Sequence, residues 1–188
     1  FLNYERDEGK DSNETVKKSM KFSKLPRYLC LSLARFFYKK EDAISAKILK
    51  TVEFPFELDL YEHCHTDLQE KIIPFRRQIN DIRNNPDKKY DISKGINEGE
   101  SNSATYELKS IITHKGRSND VGHYIAWVQP PNQRNLGPKA TWFKMDDIDV
   151  SKVESKQISS LKGGADADIA YVLFYESREY CMPKQNQV

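Results

Sequence analysis

Apolar positions in this chain fall into short alternating runs, with one stretch of longer period between them. Leu29, Leu31 and Leu33 alternate with the small Cys30, Ser32 and Ala34, so residues 26–38 are predicted to form a strand. Small side chains opposite large ones predict cover on both faces, as in the middle of a sheet. Residues 47–54 predict a second, more polar strand, which Pro55 stops. The period then changes. Leu68, Ile72, Phe75, Ile79 and Ile82 recur at spacings of four and three, which is one apolar stripe of a helix and reads as packing surface. Thr66 is the expected N-cap, with Gln69 reaching back to it. Pro74 predicts a kink or a restart. Residues 84–104 are rich in Asn, Asp, Lys, Ser and Gly and predict a mobile insertion.

The remaining pattern is strand-like. Residues 106–112 alternate and lead into Thr113 and His114, and a polar, glycine-containing loop follows over 115–121. Strands are expected over 122–128 and 141–145. The long turn between them carries Pro130, Pro131, Asn135, Gly137 and Pro138. A short helix is expected over 155–161, ended by Gly163 and Gly164, and a last strand over 168–175. The first 24 residues are polar and lysine-rich, a loose or edge segment. No internal repeat is visible. The pattern predicts an α+β fold of mainly antiparallel sheet with one or two helices.

Composition narrows the partners more than the fold. The 188 residues suffice for one domain with a real core. Lys and Arg number 30 and Asp and Glu 28, interspersed, so the net charge of +2 gives no reason to expect nucleic acid or a membrane surface. No apolar run approaches a membrane span, and the start resembles neither a signal nor a transit peptide. The first residue is not Met, which reads as a piece of a longer chain. Cys30, Cys64 and Cys181 are odd in number and widely spaced. They suggest neither a disulfide framework nor a four-cysteine zinc site, and fit a reducing cytosolic compartment. His63, Cys64 and His65 are suitable zinc ligands, but side chains at i and i+2 on either side of Cys64 lack a fourth partner, so a loop ahead of the helix is the simpler reading.

The candidate chemistry lies in the hairpin of strands 122–128 and 141–145. If Val128 pairs with Thr141, His123 falls opposite Asp146, close enough for a carboxylate to accept a hydrogen bond from the imidazole. The long turn leaves this register open. An imidazole held by a carboxylate is the base half of a nucleophilic triad: the carboxylate fixes the tautomer, and the other ring nitrogen takes a proton from a thiol or hydroxyl. Gly122 would let a peptide backbone approach closely. The loop that contains Gly116, Ser118 and Asp120 has the polarity of a gating loop.

The wording of these segments is more specific than their chemistry. Thr113-His114-Lys115-Gly116-Arg117-Ser118, Gly122-His123-Tyr124 and Trp142-Phe143-Lys144-Met145-Asp146-Asp147 resemble the histidine box of ubiquitin-specific proteases. Leu25-Pro26-Arg27-Tyr28-Leu29 with Arg35-Phe36, Val52-Glu53-Phe54-Pro55 with Leu58-Asp59-Leu60, and the closing Ala170-Tyr171-Val172-Leu173-Phe174-Tyr175 match further family segments in order. Arg35-Phe36-Phe37-Tyr38-Lys39 and Ala46-Lys47-Ile48-Leu49-Lys50 look closest to the proteasome-associated branch. So does the lack of C-x-x-C pairs.

The resemblance implies the palm and fingers part of a papain-like cysteine protease, with residues 1–188 the C-terminal part of one catalytic domain. It implies His123 as general base, Asp146 as its orienting partner and Asp147 as a supporting acid. His114 matches a position that is not the base. Gly122, Tyr124 and Ser118 would line or cover the groove for the ubiquitin tail. No cofactor is implied and no metal. The implied partners are ubiquitin and ubiquitinated proteins, with the proteasome by branch resemblance, in a cytoplasmic or also nuclear setting. Cys30, Cys64 and Cys181 match no part of the family's cysteine box, so this chain alone is expected to be inactive. It would supply the His/Asp half of a deubiquitinase. The alternative is a non-catalytic ubiquitin-binding module.

Overall fold

The computed structural model describes residues 19–40, 44–85, 99–117, 121–130, 137–164 and 168–181. Its centre is an antiparallel sheet of seven strands. In chain order these are β1 (Tyr28–Ser32), β4 (Glu57–Asp59), β5 (Thr105–Lys115), β6 (His123–Val128), β7 (Thr141–Asp146), β8 (Asp149–Glu154) and β9 (Ile169–Ser177). The spatial order is β1-β9-β5-β6-β7-β8, with β4 pairing the start of β5. β2 (Phe36–Lys39) and β3 (Ile44–Lys47) form a separate two-stranded ribbon. The helices are α1 (Thr66–Asn84), α2 (Ser155–Ser159) and α3 (Arg178–Cys181).

β5 is the longest strand, at 11 residues, and is central because it pairs β4, β6 and β9. Tyr106, Leu108 and Ile111 are fully buried and face Tyr175, Leu173, Trp127 and Trp142 in one core. The helical stripe joins that core, with Ile72 at 2% exposure and Phe75 and Ile79 also buried. Two buried tyrosines satisfy their hydroxyls on prolyl carbonyls, Tyr106 on Pro26 O at 2.6 Å and Tyr175 on Pro55 O at 2.7 Å.

Several sequence expectations are corrected. The strand over 26–38 is two strands in different sheets, and among the described residues β1 pairs β9 alone, at the sheet edge. Its small residues look outward: Cys30 is exposed, while Leu29 and Leu31 are half-buried against the core. Small side chains here mark a solvent face rather than cover on both sides.

The strand over 47–54 does not form, because its backbone groups are used elsewhere. The buried guanidinium of Arg35 donates to the carbonyls of Lys50 (2.6 Å), Ala170 (2.9 Å), Lys162 (3.1 Å) and Ile48 (3.4 Å). Leu49 O accepts from Gly164 N at 2.7 Å. Gly163 and Gly164 both have positive φ, at 107° and 93°, and a Cβ on Gly163 would sit 3.0 Å from Lys50 O. Arg35 and this glycine pair therefore fasten the segment after β3 to the loop before β9.

α1 runs through Pro74 without a break. Its N-cap is His65, not Thr66, with Nδ1 accepting from Asp67 N at 3.4 Å. Gln69 donates to Tyr61 O at 2.9 Å instead of closing a capping box. Residues 86–98 of the expected insertion lie outside the described residues, but its last part is core. Ser101, Ser103 and Ala104 are buried, and Glu179 on α3 accepts from Ser103 Oγ and Ser177 Oγ, both at 2.6 Å. A hydroxyl-rich segment becomes buried where a carboxylate is there to receive its donors. β4 and β8 are strands the pattern did not reveal. β8 has a single buried side chain, Val153, so no alternation marks it.

Candidate functional site

Strands β6 and β7 bring His123 and Asp146 together, though not in the expected register. Ala126 faces Met145 and Val128 faces Phe143, two residues displaced from the Val128–Thr141 pairing. A two-residue shift keeps every side chain on its own face, so His123 and Asp146 still share one. They meet along the diagonal, since continuing the ladder puts Asp146 across from Ile125. His123 Nε2 lies 2.5 Å from Asp146 Oδ1. The imidazole side chain is 40% exposed and the carboxylate 31%, so the pair is open to a reactant. With Nε2 engaged by the carboxylate, Nδ1 is the nitrogen left for proton transfer.

A third residue completes the carboxylate's coordination. Lys144 Nζ donates to Asp146 Oδ2 at 2.7 Å. Sequence reasoning quoted Lys144 in a motif but gave it no role. The available signal was its i, i+2 relation to Asp146, which places both on one face of a strand. The Lys144 hydrogen bond, then that of His123, hold the Asp146 carboxyl below its ordinary range. In return the same bond raises the Lys144 ammonium.

Asp147 occupies the two-residue turn between β7 and β8, is exposed, and has φ of 54°. Asp tolerates that left-handed conformation better than most residues. Among the described residues, His123, Asp146 and Asp147 offer ligand atoms within 4.8 Å of one another. Those atoms could approach a cation, but the Lys144 ammonium already sits on Asp146 Oδ2. His63, Cys64 and His65 do not converge: Cys64 is buried with Sγ on Leu60 O at 3.2 Å, His65 caps α1 and His63 is exposed.

Gly122 has a role different from the one expected. A Cβ there would lie 2.1 Å from Nε2 of His114 and 2.5 Å from its Cε1. The residue is glycine because the His114 ring fills that space, and the Lys115 carbonyl oxygen would also lie 2.8 Å from a Cβ. His114 itself is fully buried, edge-on to Phe36 at 5.1 Å and to Tyr124 at 4.8 Å between ring centroids. Neither of its ring nitrogens has a hydrogen-bond partner among the described residues. Burial, then the charge of Lys47, push its pKa down. Its carbonyl accepts from Lys47 Nζ at 2.5 Å, which ties the β2–β3 ribbon to the strand before the base. Tyr124 is half-exposed and also lies near Tyr171, at 6.0 Å. Ser118 lies outside the described residues. Cys30 is three strands from β6, and buried Cys64 lies just after β4, which pairs the end of β5 opposite to His123.

Comparison with known proteins identifies the family. The family model described as ubiquitin carboxyl-terminal hydrolase matches residues 4–175. The chain therefore belongs to the ubiquitin carboxyl-terminal hydrolase family. It is 36% identical over 182 residues to ubiquitin carboxyl-terminal hydrolase 14 of Caenorhabditis elegans, covering 86% of this chain and 36% of the relative. It is 32% identical over 195 residues to ubiquitin carboxyl-terminal hydrolase 6 of Schizosaccharomyces pombe, covering 86% and 41%. Among solved structures it is similar to a chain of the SAGA Ubp8/Sgf11/Sus1/Sgf73 DUB module bound to ubiquitin aldehyde, with TM-score 0.52 and 27% identity, covering 85% of this chain and 26% of that one. The chain thus spans about two-fifths of the curated relatives it matches. The fold is the mainly antiparallel part of a papain-like protease.

Proposed function

We propose that this chain is the C-terminal part of a deubiquitinase catalytic domain and supplies the base half of its catalytic site. The observation that carries the proposal is the 2.5 Å contact between His123 Nε2 and Asp146 Oδ1, both partly exposed. Asp146 orients the ring and stabilises the imidazolium. Nδ1 of His123 receives the proton of a cysteine thiol. That thiol comes from a region of the parent protein outside this chain, because Cys30, Cys64 and Cys181 match no part of the family's cysteine box. The thiolate attacks the carbonyl carbon of the last glycine of ubiquitin. His123 returns the proton to the departing lysine amine, and water then hydrolyses the thioester with His123 again as base.

The substrate assignment is supported by family membership and by the relatives named above. Tyr124, half-exposed beside Gly122, and the loop carrying Ser118 are proposed to line the channel for the ubiquitin tail. Asp147 is proposed to support the site from the turn. Proteasome association is proposed only from the branch resemblance of residues 35–50.

The test is reaction with a ubiquitin C-terminal electrophile, on this chain and on the full-length parent. Labelling of the parent alone, lost on His123→Ala, is the expected result. Absence of labelling of the parent, with and without proteasome, would overturn the catalytic reading in favour of a ubiquitin-binding module.

A further inference from the structure

We propose that Lys144 is a positioning residue of this site: it clamps the second oxygen of Asp146, fixes the carboxylate against His123 and sets how readily that imidazole keeps a proton. The inference rests on the catalytic reading above.

A carboxylate bonded through one oxygen can rotate about its terminal torsion and exchange its oxygens, since that torsion is broad and two-fold. Asp146 is held through both, Oδ1 at 2.5 Å by His123 and Oδ2 at 2.7 Å by Lys144. Lys144 has a firm base. It lies opposite Trp127 in the ladder, with Nζ 5.8 Å from that ring. Trp127 is buried and donates Nε1–H to Thr113 Oγ1 at 3.0 Å. The clamp is therefore built on core, not on a mobile loop.

Charge adds to geometry. With a neutral imidazole, the carboxylate and the ammonium cancel. Without the ammonium, the carboxylate would hold the imidazolium proton more tightly. The other charged groups that face this cluster are Asp147 in the turn, Asp149 across from Asp146 on β8, Lys115 across from His123 on β5 and Asp168 just before β9. Asp146, Asp168 and Asp149 all favour the charged form of Lys144. These carboxylates keep the clamp protonated.

The experiment uses the full-length parent protein. In Lys144→Met, kcat should fall on the order of tenfold to a hundredfold while KM stays within about twofold, as expected when orientation rather than binding is lost. The pKa of His123, read by NMR of histidine-labelled protein without ubiquitin, should rise by about 0.5–1 unit, and the acid limb of kcat/KM with it. Lys144→Arg should restore both. In an Asp146→Asn background, Lys144→Met should change neither quantity further. An unchanged kcat and titration, or an equal effect in the Asp146→Asn background, would overturn the proposal. Should Lys144→Met melt below assay temperature, Lys144→Gln and Lys144→Arg read the same quantity: only loss of charge moves the titration up. A parent that ignores the ubiquitin electrophile rejects the catalytic reading, whereas the ubiquitin-free titration still decides whether Lys144 governs His123.

Discussion

His114 and His123 stand nine residues apart around one loop, and their surroundings are opposite. His114 is fully buried among Phe36, Tyr124 and the Cα of Gly122, without a hydrogen-bond partner among the described residues. His123 is open on one side and held by a carboxylate on the other. Burial in an apolar cage disfavours the imidazolium, whereas a neighbouring carboxylate favours it. The first histidine is thereby a neutral packing element that shapes the turn. The second is suited to exchange a proton. The same side chain serves either purpose, and the decision lies in what surrounds it.

The largest expected effect breaks the comparison at its reactive end. His123→Ala in the full-length protein should lower kcat for a ubiquitin C-terminal substrate by at least about 10⁴-fold, the loss seen when a member of a triad is removed. Its melting temperature should stay close to wild type, because the side chain is partly exposed and outside the core. A small loss of kcat would mean that His123 is not the base. His114→Ala should do the reverse, lowering stability more than it lowers the chemical step.

A smaller effect probes the contact that joins the two histidines. Gly122→Ala puts a methyl group 2.1 Å from His114 Nε2, so something must move. Overpacking of this kind costs about 1–3 kcal/mol, measurable by denaturant unfolding. Adding His114→Ala should make the Gly122→Ala penalty smaller than it is alone. Equal penalties in both backgrounds would show that the ring does not set the need for glycine.

The smallest effect is a pH dependence. The pKa of His114 is lowered in the folded protein from an ordinary value of 6.5. Above that value both states are neutral, and the residue contributes nothing to the slope. As pH falls below 6.5 the unfolded chain binds the proton first, so stability is lost down to the folded pKa. His114→Leu should therefore lose less stability than wild type between about pH 7.5 and pH 5.5, by chemical denaturation. Identical slopes would place His114 in a wetter environment than its burial indicates.

Some of this could be read before any coordinates. The apolar stripe of α1 was legible because it repeats with helical period over five residues. The His123–Asp146 face was legible because strand periodicity is two, so even a register two residues off left the pair on one side of the sheet. Other features were not. β8 carries one buried residue, and β1 is an edge strand whose small residues imitate a central one. The serines at 101 and 103 read as loop because their partner, Glu179, is more than seventy residues away.

The sequence by itself determined which side chains alternate, where the helix lies, which residues form the histidine box and, through its wording, the family. These are local properties, carried by periodicity and by residue order. Only the tertiary structure decided that Arg35 would claim the carbonyls of the segment after β3, that the His114 ring would crowd Gly122, and that Lys144 closes the second oxygen of Asp146. Each of these joins groups on different elements or fixes a distance of a few ångströms between side chains. Such distances depend on register and packing, which a pattern along one chain does not encode.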